Sequence, residues 1–182
     1  MTLAARPASP EDAAILAQIY NEGIEDRVGT FETRPRTAQD VLAWFDGVHP
    51  IVVVEADGHV IAFASTSSYR SRECYRGIAE FSVYVARHAR GQGAGRVAMQ
   101  ALLEAVKPAG IWKLLSRIFV ENDASRRLMT SMGFREVGIY EKHAQLDGEW
   151  RDVVIVERLI PENLSPSPHD GSGATPRSGS GR

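Results

Sequence analysis

The stretch from Ala86 to Val106 contains residue types that suit the binding of an anion. Its sequence, ARHARGQGAGRVAMQALLEAV, has glycines at 91, 93 and 95 between two arginines, directly before an apolar pattern with helical spacing. The first N–H groups of a helix have no acceptor inside the helix, and the helix dipole adds partial positive charge there. Glycines let the backbone approach an anion without a Cβ in the way. The stretch therefore predicts a site for a phosphate-bearing ligand.

The spacing of these glycines narrows the choice of ligand. It is not the G-x-x-x-x-G-K-[ST] pattern of a P-loop ATPase. It is G-x-G-x-G rather than G-x-G-x-x-G, and a hairpin pattern precedes it, which disfavours a nicotinamide site. An isolated cluster of this kind is also compatible with a flexible turn that binds nothing. The surrounding elements are therefore needed to choose between a phosphate site and such a turn.

The chain around this stretch predicts an alternation of strands and helices. Ser9 and Thr37 are capping residues, each with an acidic residue three positions later, and they predict helices to about Asp26 and through Trp44. Asp-Gly pairs at 57–58 and 147–148 predict two hairpins. The order of elements is strand, two helices, three strands, helix, strand, helix and two strands. This order predicts an α/β fold, a mixed sheet with helices on both faces.

Composition and charge exclude several classes of protein. The chain has 182 residues, 43% of them hydrophobic, and a net charge of −2, so it exerts no long-range attraction on nucleic acid or anionic membranes. No run of about 18 apolar residues occurs, and a single cysteine excludes an internal disulfide. The five histidines have no metal-ligand spacing, so we expect no metal. A cytoplasmic protein is predicted, with one domain over 1–162 and a disordered Gly/Ser/Pro-rich tail over 163–182.

Two quoted segments carry a family resemblance. The pair VYVARHARGQGAGR and ENDASRRLMTSMGF resembles the GNAT superfamily of acetyl-CoA-dependent N-acetyltransferases. The resemblance implies that family's fold, with a central, mostly antiparallel twisted sheet, and acetyl-CoA as co-substrate. It implies that Arg90, Gly93 and Gly95 cradle the CoA diphosphate, that Asn122 contacts the cofactor and that Val83 to Val85 pair with the pantetheine arm. The full set of cofactor residues expected is Val83, Tyr84, Val85, Arg90, Gly91, Gln92, Gly93, Ala94, Gly95, Arg96, Asn122 and Ser125.

Four further segments narrow the resemblance. YRSRECYRGIAEFSVYV, TFETRP, NDASRRLM and DGEWRDV are similar to the phosphinothricin N-acetyltransferase group, which includes arsinothricin N-acetyltransferases. Members acetylate the α-amine of glutamate-like toxins and are usually homodimers. The resemblance therefore implies a small amino-acid substrate and a homodimer, with no nucleic acid or membrane partner.

Glu80 is the candidate general base, because an α-ammonium must lose a proton before it attacks a thioester. It lies on a strand whose other face is apolar, and it matches the position of the family's proposed catalytic glutamate. The structural alternative is a surface glutamate, or one paired with an arginine such as Arg72. A backbone N–H near Val83 is expected to stabilise the oxyanion. Met129 stands where many members have a tyrosine, so the general acid is left to Tyr84, Tyr140 or water.

Four residues are predicted to bind the amino-acid substrate. Arg70 and Arg72 stand two apart before the Glu80 strand, and paired guanidiniums suit a substrate with two acidic ends. Phe31 and Glu32 fall in the family's substrate-facing loop. The structural alternatives are solvated loop charges for the arginines and a core position for Phe31.

Together these observations predict acetyl transfer to the α-amine of a small acidic amino-acid analogue such as phosphinothricin, arsinothricin or methionine sulfone or sulfoximine, conferring toxin resistance. The alternatives are a GNAT enzyme acting on protein N-termini or another amine, and a non-catalytic CoA-binding sensor.

Overall fold

The computed structural model describes residues 2–164, which form one seven-stranded sheet flanked by helices. The elements follow the predicted order. The strands are β1 (Leu3–Pro7), β2 (Ile51–Ala56), β3 (His59–Ser68), β4 (Ile78–Val85), β5 (Lys113–Phe119), β6 (Arg135–Leu146) and β7 (Glu149–Leu159). The α-helices are α1 (Ala13–Asp26), α2 (Ala38–Leu42), α3 (Ala94–Ala105) and α4 (Asp123–Ser131).

The strand order in the sheet is β1-β2-β3-β4-β5-β7-β6. Every pair within residues 2–164 is antiparallel except β4 with β5, which are parallel. A parallel pair needs a crossover, and α3 supplies it. The mixed, mostly antiparallel sheet expected from the family resemblance is therefore confirmed.

Helices cover both faces of the sheet. Phe63 and Tyr84 are directly paired on neighbouring strands, and Tyr20 of α1 and Trp44 after α2 pack on this face. Phe81 points to the opposite face because side chains alternate along a strand, and there it contacts Phe134 after α4. The apolar stripe predicted for α3 is buried as expected, with Met99, Leu102, Leu103 and Val106 all inside the core.

Both predicted Asp-Gly turns are present. Asp57 and Gly58 have φ values of 50° and 80°, and Asp147 and Gly148 have φ values of 51° and 83°. Two successive residues with positive φ are the requirement of a tight turn whose twist matches that of the strands it joins. These turns fix the β2–β3 and β6–β7 hairpins.

The second helix is shorter than predicted. It ends at Leu42, because the N–H groups of Trp44 and Phe45 bond to the carbonyls three residues earlier and so tighten the last turn. Trp44 leaves the helix to pack on Tyr20.

Ordered packing reaches one residue beyond the predicted end of the domain. The Asn163 side-chain amide donates to the carbonyls of Lys107 and Ile111, at 3.0 and 2.9 Å. The rest of the predicted tail, residues 165–182, lies outside the described residues. No helix within residues 2–164 is long and apolar enough to cross a membrane.

Candidate active site

A cleft opens where β4 and β5 separate. The two strands pair only from Ile78 to Glu80, opposite Lys113 to Leu115. Beyond that point β4 follows β3 as far as Val85, and β5 follows β7 as far as Phe119. Alternate residues of an antiparallel strand direct their N–H and C=O groups away from the partner. The second half of β4 therefore presents backbone hydrogen-bonding groups to the cleft.

The glycine-rich loop closes one end of this cleft. Gly91 and Gly93 have φ values of 75° and 89°, a conformation that glycine adopts without strain. Within residues 2–164, the backbone N–H groups of residues 91–95 donate to no acceptor. A Cβ added at Gly91 or Gly93 would meet nothing within 4 Å, so the space before these amides is open. Together they form a concave set of donors at the start of α3, which suits a phosphate.

Close packing holds this loop against β4 and α4. A Cβ added at Gly95 would lie 3.2 Å from Leu128 and 3.5 Å from Val85, so a larger residue would push the three elements apart. The resulting cavity of about 480 Å³ is called the amide cleft here. Its lining includes every predicted cofactor residue except two: Val83, Tyr84, Val85, Arg90, Gly91, Gly93, Gly95, Arg96, Asn122 and Ser125.

The two exceptions have their side chains engaged elsewhere. Gln92 donates its side-chain amide to the carbonyl of His88 at 3.0 Å. The Ala94 side chain is buried in the hydrophobic core. The backbone N–H groups of these two residues belong to the set at residues 91–95 that has no acceptor within residues 2–164.

Asn122 connects the amide cleft to the loop after α1. Its Oδ1 accepts the N–H of Ser125 at 3.1 Å, which caps α4, and its Nδ2 donates to the Val28 carbonyl at 2.9 Å. The Tyr84 hydroxyl donates to the neighbouring Gly29 carbonyl at 3.4 Å. These two bonds hold the loop over the edge of the cleft. Asn122 is thus the N-cap residue of α4.

Glu80 lies at the point where β4 and β5 separate, and its carboxylate is paired. Arg117 of β5 donates Nη1 to Oε2 at 2.8 Å and Nη2 to Oε1 at 3.0 Å. The structural alternative named for Glu80, pairing with an arginine, is therefore present, but the partner is Arg117 rather than Arg72, because Arg117 projects from the adjacent strand on the same face. The sequence did carry a signal for Arg117, a lone charge inside the otherwise apolar strand LLSRIFV.

The arrangement of a splayed pair of strands, a glycine loop and a capped α4 matches a known family. A family model described as "Acetyltransferase (GNAT) family" matches residues 16–134. The chain belongs to the GNAT acetyltransferase family. It is therefore an acetyl-CoA-dependent acetyltransferase, as the sequence predicted.

Curated relatives cover nearly the whole GNAT domain. The phosphinothricin N-acetyltransferase of Streptomyces coelicolor is 31% identical over 85% of this chain and 95% of its own length. A methionine sulfoximine and methionine sulfone acetyltransferase of Pseudomonas paraeruginosa is 31% identical over 91% of this chain and 100% of its own. A GNAT phosphinothricin acetyltransferase of Sinorhizobium meliloti, solved with acetyl-CoA, matches with a TM-score of 0.84 at 27% identity, over 94% and 95% of the two chains.

The positive charge of two arginines beside the glycine loop of this GNAT enzyme is partly neutralised by an aspartate of α1. Asp26 pairs with Arg90 at 2.5 Å and with Arg87 at 2.8 Å. Hydrogen bonds from Arg87 and then Arg90 hold the pKa of Asp26 below its usual range. Arg90 also donates Nε to the Val85 carbonyl at 3.2 Å. An anion in the amide cleft therefore competes with Asp26 for Arg90.

Arg96 turns toward α4, where Nη2 donates to the Ser131 hydroxyl at 2.9 Å. Its guanidinium thereby ties α3 to the C-terminal end of α4. No group of three His, Cys, Asp or Glu within residues 2–164 could hold a metal ion.

Two of the predicted substrate residues, Arg70 and Arg72, lie in the segment that joins β3 to β4. Arg70 is exposed, with its guanidinium 5.0 Å from the Tyr69 ring centroid, and Tyr69 in turn lies close enough to Arg117 to affect its pKa. Arg72 is exposed just before the turn Glu73–Tyr75. Neither Arg70 nor Arg72 forms an ion pair with a carboxylate of residues 2–164. Glu80, Arg117, Arg70 and Arg72 are called the arginine surface below.

Phe31 and Glu32 differ in what they contact. The Phe31 ring packs edge-on against Phe119 at 4.8 Å, so its structural alternative, a packing role, is the one the contacts favour. Phe119 follows Arg117 on the same face of β5, so Phe31 borders the arginine surface while it packs. Glu32 pairs with Arg36 at 2.6 Å.

The residues considered as proton donors to the departing thiolate differ in burial and in hydrogen bonding. Met129 is buried in the narrow gap between β4 and β5 and offers no O–H. Burial raises the pKa of Tyr84, and its hydroxyl already donates to Gly29. Tyr140 is 54% exposed and lies near Arg117.

Proposed function

We propose that this GNAT enzyme transfers the acetyl group of acetyl-CoA to the α-amine of a small acidic amino-acid analogue. Phosphinothricin, arsinothricin and methionine sulfone or sulfoximine are the candidates, and acetylation would confer resistance to such toxins. The observation that carries the proposal is the Glu80–Arg117 pair at the point where β4 and β5 separate. Arg70 and Arg72, which form no ion pair within residues 2–164, lie in the segment that joins β3 to β4. The names of the relatives from Streptomyces and Pseudomonas support the same substrate class.

The amide cleft fits the diphosphate of CoA. Open N–H groups at residues 91–95 match phosphate oxygens, and Arg90 stands beside them. The unpaired half of β4 would hold the pantetheine arm through its backbone, from Val83 to Val85. Bound acetyl-CoA would supply the acetyl group as a thioester at the Glu80 end of this strand.

Glu80 would accept one proton from the substrate's α-ammonium, directly or through a water. The amine lone pair then forms the C–N bond, and a backbone N–H near Val83 stabilises the negative charge on oxygen. The carbon–sulfur bond breaks, and the nitrogen gives up its second surplus proton. The thiolate takes up one proton by a relay through Tyr140 or water, which ends in its starting protonation state, since Met129 has no proton to give. Both substrates are bound together, with no covalent enzyme intermediate.

The proposed enzyme is a homodimer. Val137, Ile139 and Tyr140 of β6 are 47%, 54% and 54% exposed, and Trp150 of β7 is 55% exposed. β6 is an edge strand, and apolar side chains exposed together on an edge favour contact with a second chain. Sedimentation at micromolar concentration would give the mass of two chains, and a concentration-independent mass of one chain would refute this. A cytoplasmic location stays a prediction.

Steady-state kinetics of thiol release test the proposed activity. The panel is phosphinothricin, arsinothricin, methionine sulfoximine, glutamate and a peptide with a free N-terminus. We expect kcat/KM to be highest for one of the three toxins and at least about tenfold lower for the peptide. Turnover of the peptide alone would identify a protein N-terminal acetyltransferase. CoA binding without turnover of any amine would identify a sensor.

A further inference from the structure

Arg117 is the one guanidinium of the arginine surface that already binds a carboxylate. Its two Nη atoms form a bidentate pair with Glu80, at 2.8 and 3.0 Å, between two strands that have just separated. The Glu80 side chain is 28% exposed and that of Arg117 is 36% exposed, so both remain accessible from the cleft. Arg117 also lines the narrow gap between β4 and β5.

This pairing conflicts with the expected role of Glu80 as the general base. Each of its carboxylate oxygens accepts an N–H from Arg117, so a substrate proton must compete with the guanidinium for the same oxygens. The hydrogen bond to Glu80 is also the main reason why the pKa of Arg117 is raised. Each oxygen keeps a further lone pair, so the pairing hinders proton transfer without forbidding it. Glu80 becomes a more accessible proton acceptor when Arg117 finds another partner.

The covalent geometry of an α-amino acid supplies such a partner. The carboxylate carbon lies about 2.5 Å from the amine nitrogen, because both are bonded to Cα. A substrate whose amine approaches Glu80 therefore brings its own carboxylate within reach of Arg117. The incoming group is chemically the same as the Glu80 carboxylate, so Arg117 can exchange one bidentate partner for the other.

We propose that Arg117 binds the substrate's α-carboxylate, exchanging Glu80 for it and so releasing Glu80 to accept the amine proton. Arg70 and Arg72 then remain for the acidic group at the far end of the substrate. The inference rests on the proposed function and adds a specificity determinant to it. The enzyme would select α-amino acids over plain amines, because an amine without the carboxylate leaves Glu80 paired.

The alternative is a structural cross-strand ion pair that ties β4 to β5 where their ladder ends. If the pair is structural, substituting Arg117 would lower stability and affect all substrates alike. If Arg117 binds the substrate carboxylate, the substitution would reduce the preference for amines that carry an α-carboxylate. The molecule contains a control for this distinction: Arg135 of β6 donates Nε to Glu157 of β7 at 2.9 Å, also across two strands, and neither residue lines the gap between β4 and β5 or the amide cleft.

The test compares phosphinothricin with its decarboxylated analogue, which keeps the amine and the phosphinate. We expect the wild type to prefer phosphinothricin by about 100-fold in kcat/KM, the scale of a lost bidentate charge pair. In Arg117→Leu the KM for phosphinothricin rises about 10- to 100-fold and the preference falls at least about tenfold, while the Kd of acetyl-CoA stays within about twofold. Arg135→Leu leaves KM and preference unchanged.

Two results would overturn the inference while the proposed function stands. One is Arg117→Leu with normal acetyl-CoA binding and an unaltered preference. If that variant fails to fold, Arg117→Lys replaces it, since lysine keeps the charge without the fork. We expect an intermediate loss of preference, and an unaltered preference in Arg117→Lys would also overturn the inference. A wild type that turns over no amino acid in the panel would instead refute the proposed function itself.

Discussion

The amide cleft and the arginine surface lie side by side but are built in different ways. The cleft is made mostly of backbone groups from a contiguous loop and one strand, residues 91–95 and Val83 to Val85. The arginine surface is made of side chains from β4, β5 and the segment after β3. A site made of backbone groups needs small residues with positive φ, and such residues form a recognisable motif in the local sequence. A side-chain site depends on which strands become neighbours.

The largest expected effect in this comparison is at Glu80. Glu80→Gln removes the proton acceptor but keeps its size, so kcat for the best amino-acid substrate falls about 100-fold or more, while the Kd of acetyl-CoA is unchanged. Steady-state kinetics and calorimetry measure the two quantities. Glu149→Gln, an exposed glutamate on β7, is the control and keeps normal kcat. Full turnover of Glu80→Gln at neutral pH would remove this residue from the mechanism.

The exposed arginines should give the next largest effect. Arg70→Ala and Arg72→Ala each remove one charged donor for the far acidic group, so KM for phosphinothricin rises about tenfold or more. The Kd of acetyl-CoA should change by less than about twofold, because neither residue reaches the amide cleft. Arg76→Ala, whose guanidinium pairs with Glu73 at 2.7 Å, is the control. An unchanged KM in both variants would reduce the arginine surface to Glu80 and Arg117.

Substitution in the glycine loop should weaken the binding of acetyl-CoA rather than that of the amino acid. Gly93→Ala forces a Cβ into a left-handed conformation, which costs about 1–2 kcal/mol and displaces the loop amides. We expect the Kd of acetyl-CoA to rise roughly tenfold. Gly58→Ala is a matched control, because Gly58 has a φ of 80° and also meets nothing within 4 Å. Both variants should lose similar stability, so equal CoA affinity in the two would argue against the amides as the diphosphate site.

The smallest expected effect falls on both regions together. Asn122→Ala removes the α4 cap and the bond to the Val28 carbonyl, so unfolding free energy falls by about 1 kcal/mol. The Kd of acetyl-CoA and the KM of the amino acid should both rise a few-fold, since the loop after α1 borders both. Asn122→Asp keeps the cap and loses the Val28 bond. If it matches the wild type in both constants, the cap alone accounts for the effect of Asn122.

Local sequence features predicted much of the fold. Thr37 located the start of α2, and Ser9 precedes a 3₁₀ turn, Pro10–Asp12, that leads into α1. The Asp-Gly pairs located both hairpins. The end of α2 was wrong by two residues, because Trp44 is drawn out of the helix by packing on Tyr20, a contact from another element. The sequence also left the role of Phe31 open, because its packing partner, Phe119, lies on a distant element.

By itself, the sequence determined the family, the order of elements and the position of the amide cleft, because each depends on residues close together in the chain. Glycine conformations, helix starts and strand alternation are local properties of the backbone. Only the tertiary structure decided the partner of Glu80. Arg117 is 37 residues away, and it meets Glu80 because the α3 crossover sets β5 parallel to β4 in one register. That register arises from packing of the whole sheet, and a local pattern does not encode it.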